Sequence, residues 1–142
     1  MEALFSEALR LNMRLIAGKV MMDRHVPDYL CETAGESYRQ TRALIRRWHP
    51  ARQAGLCHHP ALCPTSTPGL LEAVQRLRAG VSRHLAAERI SVKNREEIAW
   101  VKQLWPEHAR YLDVYHHYQL TGERSVFAHG IHLDDAEVAV PA

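Results

Sequence analysis

The residues best equipped for chemistry are histidines and cysteines, and most of them fall in short stretches. Ser125-Val126-Phe127-Ala128-His129 reads as a short apolar strand ending on a histidine, followed by Gly130-Ile131-His132. In α/β folds catalytic groups project from C-terminal strand ends, and a neutral imidazole there is a good zinc ligand. His129 is therefore the candidate metal ligand, set against an ordinary polar residue at a strand end. Cys57-His58-His59-Pro60-Ala61-Leu62-Cys63 gathers soft and borderline ligands, but the spacing is not that of paired-ligand zinc knuckles, and an irregular loop is the plainer reading. His116 and His117 are adjacent on a helical pattern, about 100° apart, so they cannot both face one ion and read as a solvated surface. Lys19 suits an anion or a snorkelling role, and Asp134-Asp135 a solvated turn. No phosphate-cradling glycine loop and no Gly-x-Ser-x-Gly elbow occurs.

The elements that must position these groups follow from periodicity and caps. Residues 2–11 form a helix with Leu4, Ala8 and Leu11 on one face, and residues 13–22 are an apolar run of strand length. Thr33-Ala34-Gly35-Glu36 is a capping box ahead of a helix carrying Tyr38, Thr41, Ile45 and Trp48, which stops at His49-Pro50. Thr67-Pro68 opens the next helix, with Leu70, Leu71, Val74 and Leu77 as its buried stripe. Asn94 caps a third, burying Ile98, Val101 and Trp105. A fourth runs from about Ala109 to Leu120 with Leu112, Tyr115 and Tyr118 inward, and Thr121-Gly122 ends it. This rhythm predicts an α/β domain with parallel strands. Two segments break it: 51–64 and 80–92 show no convincing strand.

Composition bounds the function. The 142 residues allow one domain, and a net charge of +2 is too small for a nucleic-acid or anionic-membrane footprint. No apolar run approaches a membrane span, and the first residues lack a basic leader region. Three cysteines without a Cys-x-x-Cys suit a reduced, cytoplasmic setting.

Several blocks go further. Asn12-Met13-Arg14-Leu15-Ile16-Ala17-Gly18-Lys19-Val20-Met21-Met22-Asp23, Pro27-Asp28-Tyr29-Leu30, Pro64-Thr65-Ser66-Thr67-Pro68, Asn94-Arg95-Glu96-Glu97-Ile98-Ala99-Trp100-Val101-Lys102 and Leu120-Thr121-Gly122-Glu123-Arg124-Ser125-Val126-Phe127-Ala128-His129-Gly130-Ile131-His132-Leu133 stand in the order and approximate spacing of the bacterial guanine deaminases. The chain resembles that family, within the amidohydrolase superfamily, from the helix before barrel strand three to just after strand six. The resemblance implies a (β/α)₈ barrel, of which residues 1–142 would be a single partial domain, helix-rich with few surviving parallel strands. It also implies a zinc cofactor, guanine as the small-molecule partner, a homodimer, and hydrolysis of guanine to xanthine and ammonia by zinc-activated water with a glutamate moving the proton. Of the family's ligands (a His-x-His on strand one, histidines on strands five and six, an aspartate on strand eight) only the sixth-strand histidine has a match, His129.

Inside the match two blocks fail. Anchored on Pro64-Thr65-Ser66, the fourth-strand arginine that contacts the purine is replaced by Ala61. The fifth-strand His-x-x-Glu is replaced by Ile90 and Lys93 in one anchoring, and by Arg89 and Val92 in the other; His84 and Glu88 mimic it out of register. Codons such as TAT GCC ATC ACC CCG CGC TTT GCC CCC, for the family's Tyr-Ala-Ile-Thr-Pro-Arg-Phe-Ala-Pro, read two bases late give Cys-His-His-Pro-Ala-Leu-Cys-Pro, which is residues 57–64. A one-base shift of codons for Glu-Phe-Pro-Asp-Thr-Trp-Leu-Gln-Ser gives residues 80–88. The chain thus reads as a fragment with two shifted-frame segments, inactive by itself and retaining no zinc; the alternatives are a non-catalytic, pseudogene-like product and a small Cys/His metal-binding module. Two expectations follow: irregular structure at 51–64, since Pro60 and the lack of β-branched residues disfavour a strand, and exposed strand edges and helix faces giving low solubility or a molten, helix-rich state.

Overall fold

The computed structural model describes residues 1–48, 63–80, 94–123 and 125–139, and the backbone course of 54–60 and 85–88. Helices α1 (Glu2–Arg10), α2 (Ala34–Trp48), α3 (Pro68–Ala79), α4 (Arg95–Leu104), α5 (Tyr111–His117) and α6 (Asp135–Val138) alternate with strands β1 (Leu15–Ala17), β2 (Val20–Met21), β3 (Ala54–Pro60), β4 (Leu85–Glu88) and β5 (Ser125–Phe127). Every pairing is parallel, in the order β1-β3-β4-β5, with β2 also on β3. Leu15 pairs with Ala54 and Val20 with His59, so one register runs through β1 and β2 and the Gly18-Lys19 break does not shift it. This wall of consecutive parallel strands with connecting helices is the α/β arrangement the helix–strand rhythm predicts.

Local chemistry explains the helices. Thr33 and Glu36 form the expected capping box: the Glu36 N–H donates to Thr33 Oγ1 (3.2 Å) and the Thr33 N–H to Glu36 Oε2 (3.1 Å). The Thr33 hydroxyl also donates to Glu36 Oε2 (2.7 Å), and that bond, followed by the Thr33 N–H, holds the Glu36 carboxyl below its usual pKa. Thr67 caps α3 through the Leu70 N–H (3.3 Å), and Asn94 caps α4 through the Glu97 N–H (2.7 Å). Leu70, Leu71, Val74, Leu77, Val101, Trp105, Leu112 and Tyr115 are buried together in one core. At roughly 1.5–3 kcal/mol for each large side chain fully buried, this core dominates the stabilisation.

Helix α1 is rotated from the expected face: Phe5 and Ala8 are buried, whereas Leu4 and Leu11 are exposed. Phe5 stacks on Trp48, ring centres 5.4 Å apart, and that aromatic contact sets the helix's orientation. Helix α5 is shorter than expected, because Tyr118 already closes it.

The largest departure lies in the sheet. An irregular segment was expected at 51–64 and no strand at 80–92, yet β3 runs through His58 and His59, and β4 follows at Leu85–Glu88. Strand β3 is flanked on both sides, by β1 and β2 and by β4, and ladder bonds are made by main-chain groups whatever the side chains. Strand propensity is weak against such a context, and Pro60 takes the last position, where its missing N–H costs least.

One face of the sheet packs on helices, placing Leu15, Ala17 and Phe127 against the core. The opposite face leaves Ile16 57%, Val20 44% and Val126 50% exposed. Among the described residues no helix is long and apolar enough to cross a membrane.

Candidate functional site

The C-terminal strand ends define the site. Beyond β2, the Asp23 N–H donates to the Thr65 carbonyl (3.0 Å), and the Asp23 carboxylate accepts from the Thr67 N–H (2.7 Å) and the Thr67 hydroxyl. Arg24 Nη2 donates to the Cys63 carbonyl (3.0 Å), with the guanidinium over the Trp105 ring at 5.1 Å. From the other side the Cys63 N–H donates to the Tyr115 hydroxyl (3.1 Å). The turn after β3 is thus gripped from the β2 end and from α5. Burial lowers the Arg24 pKa, partly offset by Asp23, and a guanidinium remains charged regardless. Tyr111 donates to Glu97 Oε1 (2.8 Å), and burial pushes its phenol well above the ordinary tyrosine range.

Beside this turn lies an open cavity of about 460 Å³ lined by His25, Pro64, Thr65, Asn94, Glu96, Glu97 and Trp100. His25 takes a left-handed backbone (φ 52°) and packs on Trp100, ring centres 5.3 Å apart. Neither residue stood out in the sequence, since the contact joins the loop after β2 to the middle of α4.

His129 does not sit on the strand itself. Strand β5 stops at Phe127, and His129 lies two residues beyond it, exposed, at φ 79° and followed by Gly130 at φ 29°. Left-handed φ values in two successive residues turn the chain sharply, and holding a non-glycine residue there costs about 1–3 kcal/mol. A Cβ at Gly130 would stand 3.1 Å from Leu133 Cδ1, so glycine suits that turn twice over. The segment is pinned further on. Asp134 caps α6 through the Glu137 N–H (2.8 Å) and accepts from Arg110 Nε (2.7 Å), while buried Glu137 accepts from the Leu112 N–H (3.0 Å). The backbone bond at Asp134, then Arg110, hold its carboxyl below the usual range. Asp134 is therefore a cap and an ion-pair partner, which corrects the solvated-turn reading. Lys19 is corrected too: it pairs with Glu32, which also accepts from Ser37.

Among the described residues no group of three or more His, Cys, Asp or Glu side chains is arranged to hold a metal ion. Zinc in a protein site takes three or four protein ligands, so the donors among the described residues do not fit it. The positions standing for the family's missing groups, Ala61, Arg89, Ile90, Val92 and Lys93, fall outside the described residues, as does His84.

Residues 1–141 match the sequence model of the amidohydrolase family. The chain belongs to that family. Guanine deaminase of Escherichia coli is 48% identical over 96% of this amidohydrolase chain, which spans 31% of that relative's length. The solved E. coli guanine deaminase superposes with a TM-score of 0.92, the match covering 96% of this chain and 32% of that one. The guanine deaminase of C. acetobutylicum, solved with guanine in its active site, is 27% identical with a TM-score of 0.90, over 96% of this chain and 33% of that one. An Arthrobacter aurescens atrazine chlorohydrolase variant, solved with zinc and atraton, is 16% identical with a TM-score of 0.84, over 96% of this chain and 31% of that one, a likeness of fold alone.

Proposed function

We propose that this amidohydrolase chain, residues 1–142, is one partial barrel domain of guanine-deaminase type, serving the reaction in which guanine and water give xanthine and ammonia. The observation that carries this reading is 48% identity to the E. coli guanine deaminase across 96% of the chain. The resemblance assigns to His129 the role of strand-six ligand, and its position just beyond β5 supports that assignment. Zinc is the ion the family implies; because the donors described do not fit it, no step is assigned to a metal in this chain. By itself the chain does not turn over guanine. The exposed free thiol of Cys31 supports a reducing, cytoplasmic setting.

A hybrid enzyme tests the reading. Residues 1–142 replace the matching third of the E. coli enzyme, once as they stand and once with residues 57–64 and 80–93 recoded to the family's strands. The recoded hybrid is expected to release ammonia from guanine, and the unrecoded one to be inert. A recoded hybrid that binds zinc and deaminates other heterocycles but not guanine would refute the substrate assignment.

A further inference from the structure

Arg78, in the last turn of α3, reaches across to the start of β5. Its Nη1 donates to the Leu120 carbonyl (2.8 Å) and to Ser125 Oγ (2.8 Å). Its Nη2 donates to the carbonyls of Thr121 (3.2 Å) and Glu123 (3.2 Å). The turn closes on itself as well: Ser125 Oγ donates to the Leu120 carbonyl (2.8 Å) and the Ser125 N–H to the Gly122 carbonyl (3.0 Å). Gly122 stands at φ 113°, which glycine adopts without the cost a side chain carries, and there the chain bends around the guanidinium. Among the ion pairs of the described residues none involves Arg78, so its charge is directed at neutral oxygens. Hydrogen bonds from a charged donor are roughly twice as strong as neutral ones.

We propose that Arg78 is a positioning residue: it sets the register of β5 and, through it, the placement of His129. Strand β5 pairs with β4 at Ala86↔Ser125, Ala87↔Val126 and Glu88↔Phe127, and it ends the strand order among the described residues. Register is specified strongly where one face of a strand is buried, and none of the three β5 side chains is fully buried. A slip of one residue moves His129 by about 3.3 Å along the strand and sends each side chain to the other face. A working site tolerates about 0.5 Å. Arg78 removes that freedom, because Ser125 is the first residue of β5 and the three gripped carbonyls precede it. The anchor is itself fixed: α3 is seated by buried Leu70, Leu71, Val74 and Leu77. Lysine cannot take the place of Arg78, since an ammonium is a single point without the guanidinium's fork. The link to chemistry rests on the reading of His129 as a strand-six residue of guanine-deaminase type; the clamp on β5 does not.

The test is NMR of the purified chain at fixed pH, beside Arg78→Ala, Arg78→Lys and Ser125→Ala. It follows the His129 Cε1–Hε1 resonance, assigned by its loss in His129→Gln, together with amide exchange. In Arg78→Ala the His129 resonance is expected to shift and the β5 amides to exchange at least about tenfold faster, while Val101 in α4 stays within about twofold. Millimolar ethylguanidinium, which replaces the deleted group, restores both signals; ammonium at equal ionic strength and Arg78→Lys do not. Ser125→Ala removes one of the Arg78 bonds and keeps the fold, so it gives a smaller shift in the same direction. The proposal is overturned if His129 is unmoved in both alanine variants, if Val101 exchange accelerates by the same factor, or if ethylguanidinium restores the β5 amides and leaves His129 shifted. In the recoded hybrid, Arg78→Ala should lower kcat at least about tenfold with KM within about twofold. A recoded hybrid inert before that substitution refutes the functional reading, and the NMR result then decides the role of Arg78 by itself.

Discussion

Two connections leave the C-terminal edge of the same sheet and are held in opposite ways. The turn after β3, residues 63–67, is bonded from three sides by Asp23, Arg24 and Tyr115, and Cys63 is fully buried. The segment after β5, which carries His129, is exposed at its tip and is fixed further on by Asp134 and Glu137. A turn that supplies packing is over-determined by its own chain. The turn that carries His129 is held by its own chain at Asp134 and Glu137, beyond its exposed tip.

Substitutions sharpen the contrast. Arg24→Ala removes a bond to the Cys63 carbonyl and the contact over Trp105, and should destabilise by about 2–4 kcal/mol, read from urea unfolding followed by circular dichroism. Tyr115→Phe leaves the Cys63 N–H without its acceptor and should cost about 1–3 kcal/mol by the same measurement. A cost near zero for both would mean that the clamp is not what holds this turn. On the other side, His129→Gly trades a strained left-handed residue for one that adopts it freely and should stay within about 1 kcal/mol of the parent. A loss as large as that of Arg24→Ala would abolish the distinction between the two connections.

The smallest effect is one of pH. The Asp134 carboxyl titrates below its ordinary 3.8 in the folded chain because of the Glu137 N–H and Arg110. A depressed acid contributes stability that is complete above its unfolded pKa and lost as pH falls through the folded one, so the loosening of α6 belongs below 3.8. Being exposed, it contributes little. Asp134→Asn should flatten the acid limb of an unfolding curve between pH 4 and 2; an unchanged limb would assign the acid sensitivity elsewhere.

The helices were legible because their signals are local: Thr33 with Glu36, Thr67 with Pro68, and Asn94 each announce a start within four residues, and the buried stripes follow at helical spacing. Strands β3 and β4 were not, because a parallel strand is stabilised by neighbours distant in sequence and carries no period of its own when composition is altered. The grip on Cys63 and the His25–Trp100 contact were hidden for the same reason, each joining elements dozens of residues apart. His129 was legible as a residue, but its place beyond the strand and its left-handed backbone were not.

The proposal that this chain by itself does not turn over guanine can be measured without any partner segment. Incubation of the purified chain with guanine, with and without added zinc, measures it directly through ammonia and xanthine. No release above the uncatalysed background is predicted in either condition. Zinc-dependent xanthine formation that disappears in His129→Ala would contradict it.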